Sequence, residues 1–192
     1  MSKLIAGVGI YEKGRYPAWV DNKNTKEYQI WTDIHKRCQS GGAQQKRRPT
    51  YIGCSVHRDF IKFQDFAEWC QTQIGFNNDR WALDKDILSP DNKVYGPDTC
   101  VFVPPQLNSL LTYKKANQGD CPTGVYYDPR NNNYQSQVNA EGKVKYLGRF
   151  ETPELAEDAY KLAKTKEIRR RAELIKDQID PRAYNALMNY VV

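Results

Sequence analysis

The run Arg80–Leu111 concentrates side chains able to do chemistry. Asp84, Lys85 and Asp86 follow the apolar residues Trp81 and Leu83, which predict a short strand. A turn-rich loop carrying Asp91 and Asn92 comes next, then a second apolar strand at Val101–Val103 and a segment bearing Asn108. Carboxylate and amide oxygens are ligands for hard divalent cations, Mg²⁺ or Mn²⁺ before zinc. A lysine among them can hold a phosphate. With an ordinary pKa of about 10.4 it does not accept a proton at neutral pH as histidine does.

The elements that must position these groups can be read from periodicity. Residues 4–20 predict a hairpin around the turn Glu12–Arg15, and a helix is expected from Thr25, with Trp31, Ile34, His35 and Cys38 on one stripe. A glycine-rich and then basic loop leads to a short strand over Tyr51–Val56. A second helix is expected over Asp59–Gln73, with Phe60, Phe63, Ala67, Cys70 and Ile74 inward and Phe66 and Trp69 widening the stripe. Polar residues 114–121 predict a linker between two domains. Beyond it, three strands joined by the turns Arg130–Asn133 and Ala140–Lys143 precede a long helix. Thr152 is its N-cap and Pro153 its first residue, and Leu155, Ala156, Ala159, Leu162 and Ala163 are expected to form its buried face. Asp180-Pro181 should separate it from a last short helix with Leu187 and Met188.

Composition bounds the function. The chain has 192 residues, 40% hydrophobic and 12% aromatic, which suffices for a core and excludes a disordered chain. Its apolar runs are too short to span a bilayer and no secretory leader is expected, so a soluble intracellular protein is the default. Five widely spaced cysteines do not suggest a disulfide framework, and the isolated Cys54–His57 pair is too little for a zinc site. Net charge is +6, with basic clusters at Lys46-Arg47-Arg48 and Arg169-Arg170-Arg171, a balance suited to a polyanion. Arg47 and Arg48 are candidate nucleic-acid contacts, whereas an arginine triplet on a helix can equally be a solvated face.

The motifs LDKDI, DNKVY, PDTCVFV and QLN resemble, in order, the ββα-metal site of HNH nucleases. YQIWTDIHKRC and PTYIGCSV extend the resemblance over Gly7–Leu111 to phage-encoded HNH-type proteins of the homing-endonuclease kind. The resemblance implies a metal-dependent DNA endonuclease or nickase using Mg²⁺ or Mn²⁺. Asp84 and Asn108 would be the metal ligands, Asn92 the loop-bracing asparagine, and Lys85 would stand where the general-base histidine is expected. The segment Thr123–Ala163 resembles the plant ethylene-response-factor (Apetala-type) DNA-binding domain, in which a three-stranded sheet enters the major groove and a helix backs it. By position the groove-facing residues would be Tyr126, Asp128, Arg130, Gln137, Asn139 and Tyr146, with Lys143 and Lys145 near phosphates. The expected architecture is therefore α+β. A degenerate HNH-like domain occupies residues 1–113, a linker 114–121, the sheet-and-helix domain 122–176 and a helical tail 177–192. The expected partner is double-stranded DNA, not a membrane, in the cytoplasm of an infected bacterial host. With histidine replaced by Lys85, a non-catalytic DNA-binding regulator or phage factor is the alternative, and binding of a host protein through the nuclease-like face a third.

Overall fold

The computed structural model describes residues 3–111 and 121–192; most of the expected linker, 114–121, lies outside them. The chain is α+β and divides into two compact units. One extends to Pro105 and includes Gln178–Ala183; the other comprises Gln106–Asp177 and Tyr184–Val192.

The first unit opens with two small hairpins where the sequence suggests one. β1 (Lys3–Ile5) pairs with β2 (Gly9–Tyr11), turning at Ala6 and Gly7, both at positive φ. β3 (Trp19–Val20) pairs with β4 (Lys23–Asn24) across Asp21 and Asn22, whose paired positive φ values match a tight two-residue hairpin turn. The first hairpin turns early because β2 must press on the following helix. A Cβ on Gly9 would lie 2.8 Å from His35 Cδ2 and 2.9 Å from Trp31 Cζ2.

Helix α1 (Lys26–Cys38) buries Tyr28, Trp31, Ile34 and His35. The short α2 (Ala43–Arg47) follows, then a 3-10 turn at Pro49–Tyr51 and β5 (Ser55–Val56), shorter than the strand expected over Tyr51–Val56. Another 3-10 turn at Arg58–Phe60 precedes α3 (Phe63–Gln71), so the second helix starts later than its apolar stripe suggests. Ile74, expected on that stripe, is exposed beyond the helix end. Phe60 closes the gap between the elements: its carbonyl accepts from Trp31 Nε1 at 2.8 Å and lies 3.1 Å from His35 Nε2. The core is unusually aromatic, with Trp31, Phe60, Phe63, Phe66, Tyr95 and Phe102 fully buried. T-shaped pairs such as Phe60–Phe66, 4.9 Å between centroids, add directional packing to the burial.

β6 (Ala82–Asp84) pairs antiparallel with β8 (Val101–Val103) in the register Ala82↔Val103, Leu83↔Phe102 and Asp84↔Val101. Between them in sequence, β7 (Val94–Tyr95) lies parallel to β5. α4 (Pro105–Leu111) follows β8.

In the second unit β9 (Val125–Asp128), β10 (Asn133–Ala140) and β11 (Lys143–Phe150) form an antiparallel sheet with β10 central, and α5 (Pro153–Leu174) packs on one face. Val138, Ala140 and Tyr160 form that contact with Leu147 and Ala163. The helix face agrees with the expected one at Ala156 and Ala163 and departs from it at the leucines. Ala156, Tyr160, Glu167, Ile168 and Ala172 are buried, while Leu155 and Leu162 are exposed. Of the alanines expected there, Ala156 is buried and Ala163 packs on the sheet, joined by Tyr160, which the expected face does not include. Thr152 caps the helix, accepting from Leu155 N at 3.3 Å. α6 (Pro181–Met188) begins at the proline, as the Asp180-Pro181 break suggests. Among the described residues no helix is long and apolar enough to cross a membrane.

Candidate functional site

The loop between β6 and β7 is built by three side chains acting on its backbone. Asp84, 9% exposed at the end of β6, accepts from the N–H groups of Asp86 and Ile87, each at 2.8 Å and each through Oδ1. Burial raises its pKa from the ordinary carboxylate value, and the two N–H donors pull it back in part. Lys85 is 7% exposed and turns inward. Its Nζ donates to Asn92 O at 2.7 Å, pairs with the Asp86 carboxylate and lies 5.8 Å from the centre of the Tyr95 ring. Asn92 closes the loop from the other side. Nδ2 donates to Lys85 O at 3.0 Å and Val94 O at 2.8 Å, and Oδ1 accepts from Val94 N at 3.0 Å.

The structure thus brings Asp84, Lys85 and Asn92 into one hydrogen-bonded loop. Asn108 stands on α4, partly exposed. Asp91 is exposed at positive φ, and Lys93 donates to Thr50 O at 2.9 Å, so the two act as loop residues. The Lys85 ammonium is already compensated by one carboxylate and one carbonyl, and burial leaves little of it open to an incoming phosphate. The arrangement is chemically a brace: a charge held by local acceptors.

Tyr95 and Thr99 complete this brace, and the sequence motifs do not single them out. Tyr95 is fully buried, its OH accepts from Arg37 Nη1 at 3.5 Å, and burial holds its phenol well above the usual range. Thr99 Oγ1 donates to Val94 O at 2.7 Å. The Gly96-Pro-Asp-Thr99 turn is the available signal for Thr99, because threonine hydroxyls commonly bond the backbone of such turns. His57 lies at the end of β5, where its N–H donates to Tyr95 O at 2.8 Å. Its half-exposed imidazole accepts from Asp59 N through Nδ1 at 3.4 Å. Among the described residues no group of three or more His, Cys, Asp or Glu side chains is gathered so as to hold a metal ion.

The second candidate surface is the sheet face turned away from α5. Ser136, Val138 and Ala140 are buried toward the helix, and the alternating residues Gln135, Gln137 and Asn139 point outward. Register sets Gln135 beside Tyr126 and Arg149, Gln137 beside Tyr146, and Asn139 beside Val144. A bulge between Ser136 and Gln137 absorbs Leu147, keeping it on the helix side while Tyr146 and Val144 stay outward. Val144 is 64% exposed and Tyr146 58%, so both meet solvent on this face. Arg149 and Val144 are not identified by the sequence; their places follow only from the bulged register.

Asp128 is occupied locally, accepting from Arg130 N at 3.1 Å, Asn131 Nδ2 at 2.8 Å and Gln135 Nε2 at 2.9 Å, which hold its carboxyl below the usual range. Arg130 is exposed at the turn. Lys145 faces Val138 and Lys143 faces Ala140 in register, placing both exposed lysines on the side of the sheet that packs on α5, with Lys145 paired to Glu141 at 2.9 Å. Arg47 and Arg48 are exposed at the end of α2. Of the arginine triplet, Arg169 is exposed. Arg170 and Arg171 close on the buried Glu167, at 2.8 Å and 2.7 Å, and hold its carboxyl down at about 2. Comparison of the chain with protein-family models, with curated proteins and with solved structures gives no match.

Proposed function

We propose that this protein binds duplex DNA through the outer face of β9–β11, and that the Arg80–Leu111 region is an HNH-derived unit retained as a scaffold. The observation that carries this reading is the solvent-facing row of amides, tyrosines and Arg149 opposite a helix-packed face. Such a surface presents donors and acceptors to base edges, and the net charge of +6 favours a polyanion. The inward, compensated Lys85 supports a scaffold in preference to a catalytic role. Measurement of affinity for a duplex as a function of salt tests the reading: binding that weakens as salt rises, and is lost in a Tyr146→Ala/Gln137→Ala double variant, is expected. No binding at low salt would refute it.

A second reading, Mg²⁺- or Mn²⁺-dependent phosphodiester hydrolysis, is favoured by one observation, the carboxylate buried at the end of β6. Asp84 would hold the ion through Oδ2, since Oδ1 already accepts two backbone bonds; such an ion would neutralise charge on a scissile phosphate. Supercoiled plasmid incubated with Mg²⁺ or Mn²⁺ separates the two. Nicking lost in Asp84→Asn, which keeps the Oδ1 acceptor, would establish the enzyme; DNA retarded but intact would establish the binder.

A further inference from the structure

Resting on the DNA-binding reading, we infer that the sheet selects A·T base pairs at two positions, read by Gln137 and Asn139. The argument starts from which outward amides are uncommitted. One N–H of Gln135 Nε2 is tied to Asp128 Oδ2 at 2.9 Å, which holds this carboxamide against the turn. Asp128 itself already accepts three bonds, two from the turn it braces and one from Gln135. Among the described residues Gln137 and Asn139 have no side-chain hydrogen bond, and both lie on the outward face.

A free carboxamide offers one donor and one acceptor side by side. Adenine presents the complement in the major groove, its N7 acceptor beside its N6 amino group, whereas guanine presents two acceptors that suit a guanidinium. Gln137 and Asn139 are two residues apart on one strand, about 7 Å, or about two base-pair steps, so each meets a different base pair. Val144 stands beside Asn139 and is exposed, an apolar contact placed for the thymine methyl of an A·T pair. Arg149 is beside the committed Gln135, at the other end of the row, so guanine readout is confined to that end.

Selection from a randomised duplex library, followed by affinity measurement on the selected site, tests this. Enrichment of A·T at two positions is expected, with the preference at one of them relaxed in Gln137→Ala and at the other in Asn139→Ala, by roughly tenfold each. A second measurement needs no variant: replacing the two adenines by 7-deazaadenine removes the N7 acceptor and should weaken binding of the unaltered protein by a similar factor. Selection of G·C at these positions, or a preference indifferent to both variants and to 7-deazaadenine, would overturn the inference while leaving DNA binding intact. Failure to retain any duplex at low salt would instead overturn the DNA-binding reading on which it rests.

Discussion

Replacing Asn92 by alanine removes three hydrogen bonds at once: Nδ2 to Lys85 O, Nδ2 to Val94 O and Val94 N to Oδ1. They are not of equal worth. Val94 O keeps the hydroxyl of Thr99 at 2.7 Å and stays satisfied, whereas Lys85 O and Val94 N each lose this side-chain partner. At about 1 kcal/mol net per bond, and with the loop partly open to water, the loss is about 2–3 kcal/mol. The four tryptophans, Trp19, Trp31, Trp69 and Trp81, all lie in the first unit, so tryptophan fluorescence during urea unfolding reads that unit by itself. The urea midpoint should fall by about 1–2 M. Asn92→Asp should be at least as damaging, because it replaces the Nδ2 that donates to both carbonyls by one oxygen aimed at those of Lys85 and Val94. A variant within about 0.5 kcal/mol of the parent would show that Asn92 does not hold this loop, and would remove the brace from the account of the site.

Acid should weaken the first unit through His35. Burial lowers its pKa from the ordinary 6.5 to about 4, offset in part by the Phe60 carbonyl. The unfolded chain therefore binds the proton first, and the contribution present above about pH 6.5 is lost as pH falls toward 4, about 3 kcal/mol in all. Urea titrations at pH 7 and pH 4.5 check this, and an NMR titration of His35 near 6.5 would contradict it. Gly75→Ala should destabilise the same unit by more than about 2 kcal/mol, since Gly75 has φ of +88° and a Cβ there would lie 2.2 Å from Trp81 Cε3. Thermal unfolding of the variant measures it, and an unchanged midpoint would count against the tight Gly75–Trp81 approach. In the second unit Ser136 is fully buried and its Oγ has no hydrogen-bond partner among the described residues, so Ser136→Ala should be neutral or stabilising by about 1 kcal/mol in calorimetry; a marked loss would reveal a partner for that hydroxyl.

Local chemistry is legible where one residue acts on its own neighbours. Thr152-Pro153 announces the start of α5, and the alternation of Ser136 and Val138 with Gln135, Gln137 and Asn139 separates the two sheet faces. The apolar stripe of α1 likewise places Trp31, Ile34 and His35 inside. Such signals need only the period of the element and the geometry of its ends. The early hairpin escapes a local reading because its turn is decided by a distant constraint, the approach of Gly9 to Trp31 and His35. On α5 the alanines Ala156 and Ala163 are read correctly, but Tyr160 escapes a local reading because it, and not Leu155 or Leu162, fits the space above the sheet.

By itself the sequence determined the α+β class, the position of the sheet and the identity of the polar loop after β6, because periodicity and turn chemistry are local. Tertiary structure decided what those groups do. It turned Lys85 inward against Asn92 O and the Asp86 carboxylate and spent Asp84 Oδ1 on two backbone N–H groups. In the sheet it committed Gln135 to Asp128 and left Gln137 and Asn139 outward without such a bond among the described residues. A side chain's partners depend on what the fold brings within about 3 Å of it, and no residue spacing carries that information.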